Sequence, residues 1–275
     1  SSSSVSIIDG NTSLGSLAAF GGTADNFSDP FLVKIMNNAQ LNEKVTFELL
    51  LTDGSYSKTI FFQITVNVDY INVTINDVAT SITSKSLIGF NDFSTQLEGL
   101  GFIYPYTNNG ENLLFDGGLM VGIPNNVSDH VRGSGGAVDE DFMSTNNVQR
   151  LPVPVFSEFD LEGSFNDNNS SSPLNITVDH KAFAWSKAGH RKYVIVEYTI
   201  NNQSSNTLSN LYTGIFTDWD IAMGDANGYL NNIATTDESR YLGYTYNTTN
   251  GGLYAGVQVL TTDTATNDFV HYAID

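Results

Sequence analysis

Two short acidic runs hold the residues best able to do chemistry. They are Asp218-Trp219-Asp220 and, a few positions on, Asp225-Ala226-Asn227-Gly228. On an extended strand, residues two apart share a face at roughly 6.5 to 7 Å. Asp218 and Asp220 therefore point one way with Phe216, and Trp219 points the other way with Ile215 and Thr217. Two carboxylates that close attract a hard cation. Asp225-x-Asn227-Gly228 resembles half of a calcium loop, with oxygen ligands at alternate positions and a glycine for the bend, but the terminal Glu and the flanking helices are missing. Asp218, Asp220, Asp225 and Asn227 are accordingly candidate calcium ligands. The competing reading is that these carboxylates accept backbone N–H bonds at the end of a central strand, with Trp219 buried on the far face under either account.

Little else in the chain suggests catalysis. The sequence lacks a Gly-x-Ser-x-Gly elbow, a His-Glu-x-x-His helix, a phosphate loop and a dinucleotide fingerprint. His130, His180, His190 and His271 are scattered without metal-ligand spacing and read as structural or surface residues. The basic cluster from Lys187 to Lys192 reads as a solvated turn. No catalytic activity is expected of this chain.

The elements that must position these residues are strands. Val45, Phe47, Leu49 and Leu51 alternate with other residues up to Asp53-Gly54, and Phe62, Ile64, Val66 and Val68 return on one face, which predicts a β-hairpin. Val5 to Ile8 and Phe31 to Met36 are further strands. Short apolar runs at Leu113 to Phe115 and Leu119 to Val121 sit among recurrent Gly and Asn. Alternation is clearest at Leu174 to Val178, Val194 to Ile200 and Leu211 to Ile221, and continues at Tyr241 to Tyr246, Leu253 to Leu260 and Phe269 to Ile274. Asn125 to Asn147 reads as a long loop. With no helical periodicity to supply crossovers, the expectation is an all-β chain of two antiparallel β-sandwich units, immunoglobulin-like or jelly-roll-like. Residues 1–68 form the first, immunoglobulin-like unit lacking its first strands, and 69–275 the larger second.

Composition narrows the setting. Among 275 residues there are 30 Asp and Glu against 11 Lys and Arg, for a formal net charge of −19, and only 15% of residues are charged, against roughly 25% in an average domain. Such a chain repels phosphate backbones and anionic lipid, which disfavours nucleic-acid and membrane-surface roles. There is no cysteine and no apolar run long enough for a membrane span. The Asn, Ser, Thr and Gly surface suits an extracellular bacterial protein. Ser1 to Ser4 lead into Val5 without a signal sequence, which suggests the trimmed interior of a precursor.

Several segments together carry a resemblance. Val5-Ser-Ile-Ile, Pro30-Phe-Leu-Val, Val45 to Leu51, Ser55-Tyr56, Phe61-Phe62 and Tyr70-Ile-Asn-Val look like the immunoglobulin-like module that follows the catalytic domain in secreted subtilisin-like serine peptidases of the Bacteroidota. Asp116-Gly-Gly-Leu-Met-Val-Gly, Lys192 to Tyr198 and Leu211 to Ile221 are similar to the region those proteins carry beyond it, ahead of a type IX secretion sorting domain. The peptidase motifs themselves, Asp-Thr/Ser-Gly, His-Gly-Thr-His and Gly-Thr-Ser-Met-Ala, are absent. The resemblance implies a secreted or cell-surface, non-catalytic accessory region, partnered by the catalytic domain of the same precursor or by other surface proteins. The alternative is an adhesin-like or carbohydrate-binding module with Trp185 or Tyr229 as its platform. A glycosidase using paired carboxylates is a third.

Overall fold

The computed structural model describes residues 3–273 apart from 93, 107–109, 134–135, 223–227, 250–251 and 261–268. The chain is all-β and divides into two compact units, Ser1–Asp69 and Tyr70–Asp275.

The first unit holds two two-stranded antiparallel sheets. In one, β1 (Val5–Asp9) pairs with β2 (Leu32–Ile35), and in the other β3 (Glu43–Asp53) pairs with β4 (Tyr56–Val66). The second is a hairpin closed by the two-residue loop Gly54-Ser55, where Gly54 sits at φ +54°, a conformation glycine adopts without a Cβ penalty. Residues directly opposite share a face, so Val45 with Ile64, Phe47 with Phe62 and Leu49 with Ile60 make one apolar side. The Phe47 and Phe62 rings stack 5.5 Å apart. At the end of the unit, the Asn42 side chain donates to Asp69 Oδ1 at 2.8 Å and its Oδ1 accepts the Asp69 N–H at 3.1 Å.

The second unit is built on a four-stranded sheet of β11 (Met143–Arg150), β12 (Phe159–Asn166), β13 (Ile176–Ala184) and β14 (Ile195–Asn202), in that order. Alternation puts Phe159, Leu161, Gly163 and Phe165 of β12 on the same face as Ala184, Ala182, His180 and Val178 of β13. Two other sheets share cores with that face. The sheet of β5 (Tyr70–Val73), β6 (Ala79–Thr83), β7 (Phe102–Tyr104) and β8 (Glu111–Asn112) contributes Val73 and Ile82 to a cluster with Phe159, Leu161 and Ala182. The sheet of β9 (Leu114–Ile123), β10 (Asn126–Ser128) and β15 (Tyr212–Trp219), ordered β10-β9-β15, contributes Leu119 and Val121 to a cluster with Phe165, Ile176 and Val178. These two sheets are tied by the Leu87 to Gly118 bridge and by the Ile88 N–H, which donates to Gly117 O at 2.8 Å. A further sheet, β16 (Asn232–Asp237), β17 (Leu242–Asn247) and β18 (Tyr254–Gln258), follows a short 3-10 helix at Gly228–Asn231.

His180 stands between the two clusters, 2% exposed, opposite Gly163. A Cβ at Gly163 would lie 2.4 Å from His180 Nε2, so the glycine is what leaves room for the ring. Phe165 meets the imidazole edge-on and Tyr198 lies parallel to it at 6.5 Å. Burial lowers the His180 pKa from 6.5 to about 4, so the ring is neutral at ordinary pH.

Asp160 points to the opposite side of β12 and is fully buried. Its carboxylate accepts the N–H groups of Val155 (2.6 Å), Phe156 (2.7 Å) and Ser157 (2.9 Å), fixing the loop before β12. Burial raises its pKa, but the bonds from Phe156, Ser157 and Val155 together outweigh that and hold it low.

Two strand assignments from the sequence need correction. The segment 125–147 is not one long loop: it contains β10 and the start of β11. Residues 269–273 form no strand; instead Phe269 packs edge-on against Tyr241 and His271 covers Gly243.

Candidate functional site

Asp218 lies near the end of β15, which pairs with β9 alone among the described residues, so the strand is at an edge and not in the centre of its sheet. Directly across from Asp218 is Asp116 of β9, and directly opposite residues share a face. The register then slips: Trp219 pairs with Leu114, leaving Phe115 as an extra residue on β9. Pairing continues past the bulge, where the Asp220 N–H donates to Leu113 O at 2.9 Å.

Like charges facing one another across a ladder destabilise it unless a countercharge intervenes. Arg132 supplies one. Its Nη2 reaches Asp218 Oδ2 at 2.8 Å, its own backbone N–H donates to Asp116 Oδ2 at 2.8 Å, and its guanidinium lies 5.1 Å from the centre of the Phe115 ring. Burial pushes the carboxyls of Asp116, Asp218 and Asp220 above their usual range. At Asp116 the Arg132 N–H opposes that rise, and at Asp218 the Arg132 guanidinium does, whereas the Asp218 charge raises Asp220 further.

Arg132 belongs to a loop that is itself acidic. The Asp141 N–H donates to Asp129 O, and Asp141 Oδ2 in turn accepts the Asp129 N–H at 3.2 Å. Burial raises the Asp129 pKa to about 6, with the charges of Asp139, Asp141 and Asp116 adding to the effect.

Of the four candidate metal ligands, Asp218 and Asp220 come together as the strand spacing requires, while Asp225 and Asn227 lie outside the described residues. Among the described residues no group of three or more His, Asp or Glu side chains is arranged to hold a metal ion. The carboxylate that would anchor calcium is committed to Arg132, and an ion at Asp218 would have to displace that guanidinium. The loop amide expected at Asp218 is found instead at Asp116. Trp219 is half-buried, packing with Leu113, Ile221 and Ala255 and meeting Phe102 edge-on at 5.3 Å.

The histidines do not converge. His130 and His180 are buried, whereas His190 is exposed and joins Trp185 and Tyr193 in a ring cluster with centroids 6.0 to 6.1 Å apart. In the neighbouring turn Arg191 pairs with Asp77 at 2.6 Å and the Lys192 ammonium lies 5.6 Å from the centre of the Tyr104 ring, so the basic cluster is tethered by specific partners. Tyr229 is half exposed on the short 3-10 helix. No helix of the described residues is long and apolar enough to cross a membrane. No protein-family model, curated protein or solved structure matches this chain.

Proposed function

We propose that the chain is a non-catalytic accessory region of an exported, subtilisin-like (S8-type) serine peptidase of a bacterium, secreted or held at the cell surface, and that its first unit docks on the catalytic domain of the same precursor. One observation carries this reading: the apolar side of the β3–β4 hairpin is largely open. Of Val45, Phe47, Leu49, Ile60, Phe62 and Ile64, only Val45 is buried, and Ile64 is 46% exposed. Ile7, Leu32 and Ile35 on β1 and β2 are exposed as well. A contiguous apolar face of this kind marks a surface made to be covered by protein.

Calcium at Asp218 and Asp220 is not needed for this role. Co-expression with the catalytic domain that this reading assigns to the same precursor tests the proposal. A stable complex is expected, and Phe62→Asp with Ile64→Asp should dissociate it without changing the tryptophan fluorescence of the second unit. Recovery of the two parts as separate species at micromolar concentration would refute it. An adhesin-like or carbohydrate-binding role is favoured by a different observation, a group of tyrosines on the last sheet.

A further inference from the structure

The β16-β17-β18 sheet is two-faced. Thr245, Asn247 and Ala255 are buried on one side, where the Asn247 amide donates to Gly228 O at 2.7 Å. On the other side Tyr244 and Tyr246 of β17 meet Tyr254 of β18, which stands directly opposite Tyr246. Ring centroids are 5.5 Å apart for Tyr246 and Tyr254, 6.1 Å for Tyr244 and Tyr254, and 6.4 Å for Tyr244 and Tyr246, with planes inclined by 30° to 49°. Tyr254 is 65% exposed, so burial in this fold does not account for its place there.

A groove of about 350 Å³ opens beside these rings. Gly256, opposite Tyr244, forms part of its lining, and a Cβ there would stand 2.7 Å from Tyr244 Cβ. Leu242 adds an apolar wall. Asp237 and Arg240 also line it, with Arg240 Nε 3.5 Å from Asp237 Oδ2. Arg240 is 72% exposed and retains donors free to turn toward a ligand.

We infer that this groove binds a neutral oligosaccharide, one hexose ring lying against Tyr254 and Tyr244 while its hydroxyls bond to Asp237 and Arg240. A pyranose has an apolar C–H face and a polar rim of hydroxyls that both donate and accept. The groove offers the complement, aromatic surface beside one acceptor carboxylate and one donor guanidinium. An apolar peptide would cover that charged pair without offering either group a hydrogen bond in place of water, and the net charge of −19 repels acidic glycans and nucleic acids. The groove is lined by residues of the second unit and the hairpin belongs to the first, so the two assignments stand or fall independently.

The test is isothermal titration of the full chain with four hexasaccharides, β-1,4-glucan, β-1,3-glucan, β-1,4-mannan and α-1,4-glucan, and with the tetrapeptide Phe-Gly-Tyr-Gly. At least one sugar should bind with Kd of about 0.01 to 1 mM. Tyr254→Ala and Arg240→Ala should each weaken it by about tenfold or more, while Tyr56→Ala, an exposed tyrosine of the first unit, should leave it unchanged. No sugar binding up to about 10 mM, binding that survives Tyr254→Ala, or binding of the peptide in place of every sugar would each overturn the inference.

Discussion

Replacing His180 by leucine should change how stability depends on pH more than it changes stability at neutral pH. The native ring titrates at about 4 and the unfolded one near 6.5. Between those values the unfolded chain binds a proton that the native chain does not, so this residue makes stability rise with pH through the window and become flat above it. The linkage relation gives about 2.5 kcal/mol lost by the parent between pH 7.5 and pH 4.5 through His180 alone. Asp129, raised to about 6, acts in the opposite sense over pH 4 to 6, which flattens the parent profile and hides the histidine. The difference between parent and His180→Leu removes that background. Urea unfolding at four pH values from 4.5 to 7.5 measures it, followed by tryptophan fluorescence, since Trp185 and Trp219 both lie in the second unit. A difference profile flat to within about 0.5 kcal/mol would mean that the native imidazole titrates near its ordinary value and that the interior placement is wrong.

Further substitutions probe the remaining buried groups. Gly163→Ala should destabilise by about 1 to 3 kcal/mol through overpacking against His180 and Val148, and His180→Ala in the same chain should recover part of that loss in urea titrations. Asp160→Ala orphans three N–H groups and should cost about 2 to 4 kcal/mol, with faster proteolysis in the 151–158 loop as a second readout. Asp218→Asn should cost under about 1 kcal/mol, because the pair with Arg132 is partly exposed, and chelator should leave the melting temperature of the parent unchanged, since Arg132 already answers the charge of Asp218. A chelator-induced drop of several degrees would favour calcium at Asp218 and Asp220 instead. The purified chain should turn over no peptide, ester or glycoside substrate; activity that persists through repurification would contradict the accessory role.

The strands that the sequence revealed are those with one apolar and one polar face. The β3–β4 hairpin, with its Asp53-Gly54 turn, and β13, β14, β15, β17 and β18 all carry that alternation. β11 does not: in Met143–Arg150 only Val148 is buried and the register slips twice, so an edge strand looks like loop. Phe269 to Ala273 has the alternation but, among the described residues, no partner strand, which local pattern cannot distinguish. At the candidate site, spacing alone placed Asp218 beside Asp220. The opposing Asp116 was not legible, because it is set by the register of strands about a hundred residues apart. An acid inside the apolar run Leu113 to Val121 was the available hint. Arg132 carried a similar one, as the one Arg or Lys between Asp129 and Asp139 in a chain with so few.

The open hairpin also bears on how the molecule must be kept apart from its own copies. Among the described residues β3 and β4 each pair on one side only, so the outer edges of both strands offer ladder N–H and C=O groups to another chain beside an apolar face. Lys44, Lys58 and Glu48 interrupt those strands, but the principal barrier to edge-to-edge growth is mutual repulsion between chains of charge −19. That barrier is ionic and therefore conditional. At about 0.01 M salt it reaches some 30 Å from the surface, and at about 1 M it reaches only about 3 Å, less than the spacing of two paired strands. Colloidal stability of this chain should accordingly fall as salt rises, and covering the hairpin with a partner would remove the dependence on dilution and salt together.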